Sequence, residues 1–230
     1  MTCDQLPRTL LLVFPLAVCA LLLGACASGP PTPDWQTHAK AASERASLAY
    51  LTGNARVESA ELARARSEVA RTGRADLLAR VELTHCATMV ASLVFGPCAG
   101  FEPLRTDATA AERAYADYLL ARHTSADTPL LPESQRALAA RAANDAVSGE
   151  ALAAIADPLS RLVAAGVLFE SGRANPALIE AAIETASSQG WRRPLLAWLN
   201  VQLQRAEKGG TVDEVERLRR RIKLVQGNPG

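Results

Sequence analysis

Helix punctuation limits what this chain can fold into more than anything else in it. Prolines stand at Pro132, Pro158, Pro176 and Pro194, where each can open a helix. A first turn tolerates proline because the N–H it lacks has no partner there. Asp34, Asp157 and Asn175 stand just ahead of helical stretches as caps, and Thr109 and Thr211 are each followed three residues later by a glutamate, Glu112 and Glu214, at capping-box spacing. Glycines close the stretches at Gly53, Gly73, Gly172, Gly190 and Gly209. Between these marks alanine, leucine, arginine and glutamate dominate, all strong helix formers. No stretch alternates apolar and polar residues with β-branched side chains long enough to make a strand. The chain is predicted to be all-α. Aromatics are only 4% of it, so the core must be built from Leu, Ala and Val.

The expected helices run over residues 34–51, 57–71, from 74 through an apolar stretch ending at 95, 109–123 and 132–146. Gly96-Pro97 breaks the third, an irregular stretch follows to Arg105, and residues 124–131 read as a loop. Further starts fall at Gly149, Asp157, Asn175, Pro194 and Thr211. The final segment carries Val215, Leu218, Ile222 and Val225 on one stripe and charge elsewhere, the pattern of a terminal capping helix with a solvated outer face.

A helix ending in glycine and followed by another helix recurs, and Gly172 and Gly209 stand 37 residues apart. That spacing is near the period of helix-turn-helix repeats. Residues 194–225, with Trp198 and Leu199 on the first helix, resemble a tetratricopeptide-type hairpin. The resemblance implies stacked antiparallel helix hairpins in a TPR-like solenoid, with an irregular helical bundle as the alternative.

The N-terminus supplies an address. A short polar segment with Arg8 precedes an apolar run over residues 10–23, the layout of a secretory signal and too short for a spanning helix. Leu23-Gly24-Ala25-Cys26 resembles the lipobox of bacterial lipoproteins. By that resemblance residues 1–25 are a signal peptide. Cys26 becomes the N-terminus, carrying a thioether-linked diacylglycerol and an amide-linked acyl chain such as palmitate. Ala27 follows in place of the aspartate that commonly retains such proteins in the inner membrane, which implies lipid anchoring in the outer membrane, facing the periplasm. Residues 26–33 then form a lipidated N-terminus and a proline-rich tether, and residues 34–230 an all-helical periplasmic domain.

The mature chain would hold 205 residues (230 less 25), enough for a sizeable core. Its 25 basic and 24 acidic side chains become 24 and 23 once Arg8 and Asp4 leave with the signal. So even a balance gives no electrostatic case for nucleic acid. Of five cysteines, Cys3 and Cys19 leave with the signal and Cys26 is acylated, so Cys86 and Cys98 remain in an oxidising compartment. They are expected to form a disulfide, the alternative being two buried thiols. A helix continuous to Phe95 would carry the chain ~13.5 Å beyond Cys86. Three more residues return at most ~11 Å, while bridged Cα atoms lie within ~7 Å. The bridge therefore needs the helix to end near residues 90–93, or the chain to double straight back.

No metal site or cofactor is expected, because His85 beside Cys86 lacks further ligands at zinc-like spacing. His38, His85 and His123 are scattered, away from any nucleophile signature. Glu170-Ser171-Gly172 superficially resembles the Glu-Ser segment of lytic transglycosylases, which would make Glu170 a general acid. Such chemistry needs a carboxyl enclosed by apolar groups. The segment that follows that motif in the family is missing, and a helix end followed by the Asn175-Pro176 start explains the same residues. The reading is a membrane-anchored, non-enzymatic helical scaffold. It would bind a protein partner in cell-envelope assembly, secretion or cell-wall maintenance, with a peptidoglycan-cleaving enzyme using Glu170 as the alternative.

Overall fold

The computed structural model describes residues 32–141, 148–209 and 212–227. The lipobox, Cys26, most of the tether, the Thr211 cap and the expected helix end near Ala146 lie outside the described residues. The α-helices are α1 (Asp34–Thr52), α2 (Ala55–Ala70), α3 (Ala75–Ala91), α4 (Ala110–Leu119), α5 (Glu133–Arg141), α6 (Gly149–Ala153), α7 (Pro158–Glu170), α8 (Pro176–Ser188), α9 (Arg192–Gly209) and α10 (Val212–Val225). Two 3-10 turns lie at Glu102–Leu104 and Ser125–Leu130. Among the described residues there is no strand, and the fold is all-α.

The punctuation acts as its chemistry requires. Asp157 Oδ2 accepts the Ser160 amide at 2.7 Å and Asn175 Oδ1 the Leu178 amide at 2.8 Å, each just ahead of a first-turn proline. Thr109 and Glu112 close a full capping box on α4. An unforeseen cap is Asn54, whose side chain accepts the Val57 amide at 3.2 Å and starts α2 earlier than its apolar pattern suggests.

Other boundaries differ from expectation too, among them the start of α9 at Arg192, two residues before Pro194. Helix α3 stops at Ala91 instead of running to Phe95, because Leu93 adopts the left-handed conformation at φ 59°. The amides of Leu93 and Val94 then turn back onto the carbonyls of Val90 and Met89, both at 2.9 Å, a Schellman closure. A non-glycine residue pays ~1–2 kcal/mol for that conformation, and the early stop lets Cys98 return to Cys86. Helix α4 ends at Leu119, not His123, with Ala121 left-handed in the same manner at φ 55°. The expected loop after it is a 3-10 turn, held by the Asp127 carboxylate accepting the Thr124 amide at 2.8 Å.

Helix α3 is the hub, packing against α2, α4 and α7. It approaches α7 so closely that a Cβ at Gly166 would collide with the Val90 carbonyl. Near the end of α3, the fully buried Trp198 of α9 donates its indole N–H to the Ala91 carbonyl at 3.2 Å. Helices α7, α8, α9 and α10 pack in succession, each on the next, as stacked hairpins do. The α3–α7 contact joins helices far apart in the chain, which a one-dimensional stack does not do. The stripe of α10 packs as its pattern foretold. Leu218 and Ile222 are buried, Val215 and Val225 lean on the same core, and Arg219 reaches Glu207 of α9 at 3.0 Å. A smaller core formed by Ala39, Ala42, Ala46, Leu62, Ala65 and Val69 joins α1 to α2 and meets α3 at Val81.

Candidate functional site

A groove of about 780 Å³ lies alongside α1. Its construction follows from one helical row. Trp35, Ala39, Ser43, Ser47 and Leu51 recur every fourth residue, a row that winds slowly around the helix along the groove. The small residues between Trp35 and Leu51 leave a trough that larger side chains would fill. Leu77 and Val81 of α3, Leu159 at the start of α7 and Trp191 before α9 also line it. Leu48 stands on the rim with 54% of its surface exposed.

The charged groups at the rim are answered within the protein. Lys40 lies 3.9 Å from Glu44. Arg80 donates to Glu112 at 2.7 Å, and Asp157 is engaged as the α7 cap. Burial pushes the Glu112 carboxyl up, but Thr109 and Arg80 pull it further down, leaving it below the usual carboxylate range.

Polar side chains elsewhere tie helices together. Glu58 of α2 meets His85 Nε2 of α3 at 3.0 Å and lies 3.9 Å from Arg193 of α9. The Arg193 guanidinium sits 4.0 Å over the Tyr50 ring, and His85 meets the same ring edge-on. Burial raises the Tyr50 phenol above its ordinary value, against the pull of Arg193. The Glu82 carboxylate, 6% exposed, accepts both arms of Arg66 at 2.5 and 2.7 Å, and Gly100 abuts it so closely that a Cβ there would displace the carboxylate.

Cys86 and Cys98 are joined, with Cα atoms 5.8 Å apart, and both are buried. The bridge folds the segment after α3 onto that helix, and Phe101 just beyond it is fully buried beneath the Arg105 guanidinium. The histidines do not converge. His38 is exposed near Glu68, and His85 is held by Glu58. His123 stacks edge-on against Tyr118, its own value lowered by burial and by Arg173. Among the described residues no three His, Cys, Asp or Glu side chains come together as metal ligands would.

Glu170 lies exposed on the last turn of α7, without the apolar enclosure a general acid requires. Ser171 and Gly172 end the helix, with Gly172 at φ 72°, and Asn175 starts the next, so the motif is a helix boundary. The groove escaped sequence reasoning because its residues come from α1, α3 and the starts of α7 and α9. The only local signal was the four-residue recurrence of small side chains on α1. No family model, no curated protein and no solved structure matches the chain.

Proposed function

We propose that this chain is a lipoprotein anchored to the outer membrane through Cys26, with its helical domain in the periplasm. It acts there as a non-enzymatic scaffold that binds a protein partner in envelope assembly, secretion or cell-wall maintenance, through a repeat-like array of helix hairpins. The observation that carries this reading is the contrast between polar and apolar surface. Glu58, Glu82, Glu112 and His85, which would otherwise be candidates for chemistry, are each spent on a tie between helices. Beside these ties lies an open, apolar groove with Leu48 on its rim. Grooves of this kind take up an apolar face of a partner segment.

Site-specific photo-cross-linking tests it. A photoreactive residue replacing Leu48 should capture one discrete protein from intact envelopes. The same probe at Leu224, which is exposed on α10 and does not line the groove, should not. Identical cross-links from both positions, or none from Leu48, would remove the groove from the proposal.

A further inference from the structure

We propose that the partner segment taken up beside α3 is an extended acidic peptide, laid across that helix with an apolar side chain in a recess on either side of it. The proposal rests on the reading of the α1 groove as a partner site. A second recess, of about 430 Å³, borders the groove and shares Arg80 and Thr84 with it. The sequence of α3 builds that boundary. At ~100° per residue, Arg80 and Thr84 fall between Leu77 and Val81 on one side and Leu83 on the other. Leu77 and Val81 line the groove, while Leu83 lines the second recess together with Tyr115, Leu130 and Leu131. An exposed leucine belongs to each recess, Leu48 to the first and Leu130 to the second.

Charge on this ridge names the partner's chemistry. Arg80 donates to Glu112 through Nε alone; its terminal nitrogens have no hydrogen-bond partner among the described residues, and its side chain is 60% exposed. Arg136, which lines the second recess, likewise spends only Nε, on the Leu131 carbonyl at 2.8 Å, and is exposed. The acid lining that recess, Glu112, is buried and held by Thr109 and Arg80. Two guanidinium forks therefore stay open to solvent beside a carboxylate that is already engaged, and such forks match a carboxylate from outside. Apolar recesses on both sides of the basic ridge put the ligand's charge in the middle of its length. A peptide can carry it there, whereas a fatty acid or phospholipid carries it at one end. A helix with its side chains is ~10–12 Å across. Anchors on either side of it stand roughly three to four residues apart in extended chain, at ~3.3 Å each.

The experiment selects a phage-displayed library of random dodecapeptides on the purified protein. Enriched sequences should carry Asp or Glu between two apolar residues at about that spacing. A synthetic copy of the enriched peptide should bind Arg136→Glu about tenfold more weakly than the parent protein, and Leu48→Ser and Leu130→Ser each several-fold more weakly. All three substitutions fall on exposed side chains, so the melting curve of the parent is expected. The same peptide with lysine in place of its acid should lose binding to the parent, a measurement that needs no folded variant, and should regain it on Arg136→Glu. Enriched peptides without an acid that are still lost in Leu48→Ser would overturn the acidic assignment and leave the groove as a partner site. No enrichment over an unrelated protein, or peptides indifferent to all three substitutions, would also overturn it, while the groove itself stands or falls on the Leu48 cross-link. Phosphatidylglycerol vesicles form the second arm. Sedimentation of the parent protein with them, lost in Arg136→Glu, would overturn the peptide in favour of an anionic lipid.

Discussion

The indole of Trp198 donates to the carbonyl of Ala91, closing the C-terminal end of α3 with a side chain 107 residues away. The last carbonyls of a helix have no partner inside it, and Ala91 and Trp198 are both fully buried. Trp198→Phe should therefore cost about 1–3 kcal/mol, from an acceptor left unsatisfied. Trp198→Ala should cost about 3–5 kcal/mol, because a cavity is added. Urea midpoints of the two variants separate the terms.

Gly166 makes a complementary demand on the same helix. Alanine is the better helix former by roughly 0.5–1 kcal/mol, yet its Cβ would meet the Val90 carbonyl and push α7 off α3. Gly166→Ala should destabilise by about 1–3 kcal/mol, as overpacking does. A variant as stable as the parent would show that the two helices do not pass at this distance.

The disulfide should survive purification without reductant, seen as a single Cys86–Cys98 peptide pair in unreduced mass mapping. The bridge closes a short loop, its cysteines being 12 residues apart in sequence. Cys86→Ala should cost about 2–5 kcal/mol, measured against the oxidised parent. Two freely alkylatable thiols in unreduced, unfolded protein would contradict the bridge.

Acid should weaken the protein partly through Glu112. Its carboxyl lies below the ordinary value in the folded state, so the stabilisation it contributes is complete above its unfolded value near ~4.3 and is lost as pH falls through the folded one. Glu112→Gln should lower stability at neutral pH, and the difference from the parent should shrink steadily as pH falls to about 3. A constant difference across that range would mean that the ionised carboxylate contributes nothing.

The elements were legible in the sequence where local chemistry decides them. Thr109, Asp157 and Asn175 cap, Pro158 and Pro176 open, and Gly172 and Gly190 close, because each acts on its own helix end. Where a distant contact decides, the reading fell short. The apolar stretch after Val90 reads as more helix, but the return of Cys98 to Cys86 and the left-handed Leu93 end α3 at Ala91. Ala121 likewise holds no turn signal, since alanine favours helix. The geometry needed for the bridge was derivable, including the early helix end, because it depends only on rise per residue. The groove was not, since no single segment contains its walls. Nor were the burial of Glu82 and the close approach of Gly100 to it, which only the packing of the Cys98 segment against α3 reveals.

Metabolic labelling with palmitate, followed by density-gradient separation of the two membranes, tests the anchored-scaffold reading most directly. Label on the wild-type protein and a position in the outer-membrane fraction are expected, with both lost in Cys26→Ser. Labelling that survives Cys26→Ser, or an unlabelled wild-type protein outside the membrane fractions, would contradict the anchor. Wild-type protein in the inner-membrane fraction would contradict the sorting read from Ala27.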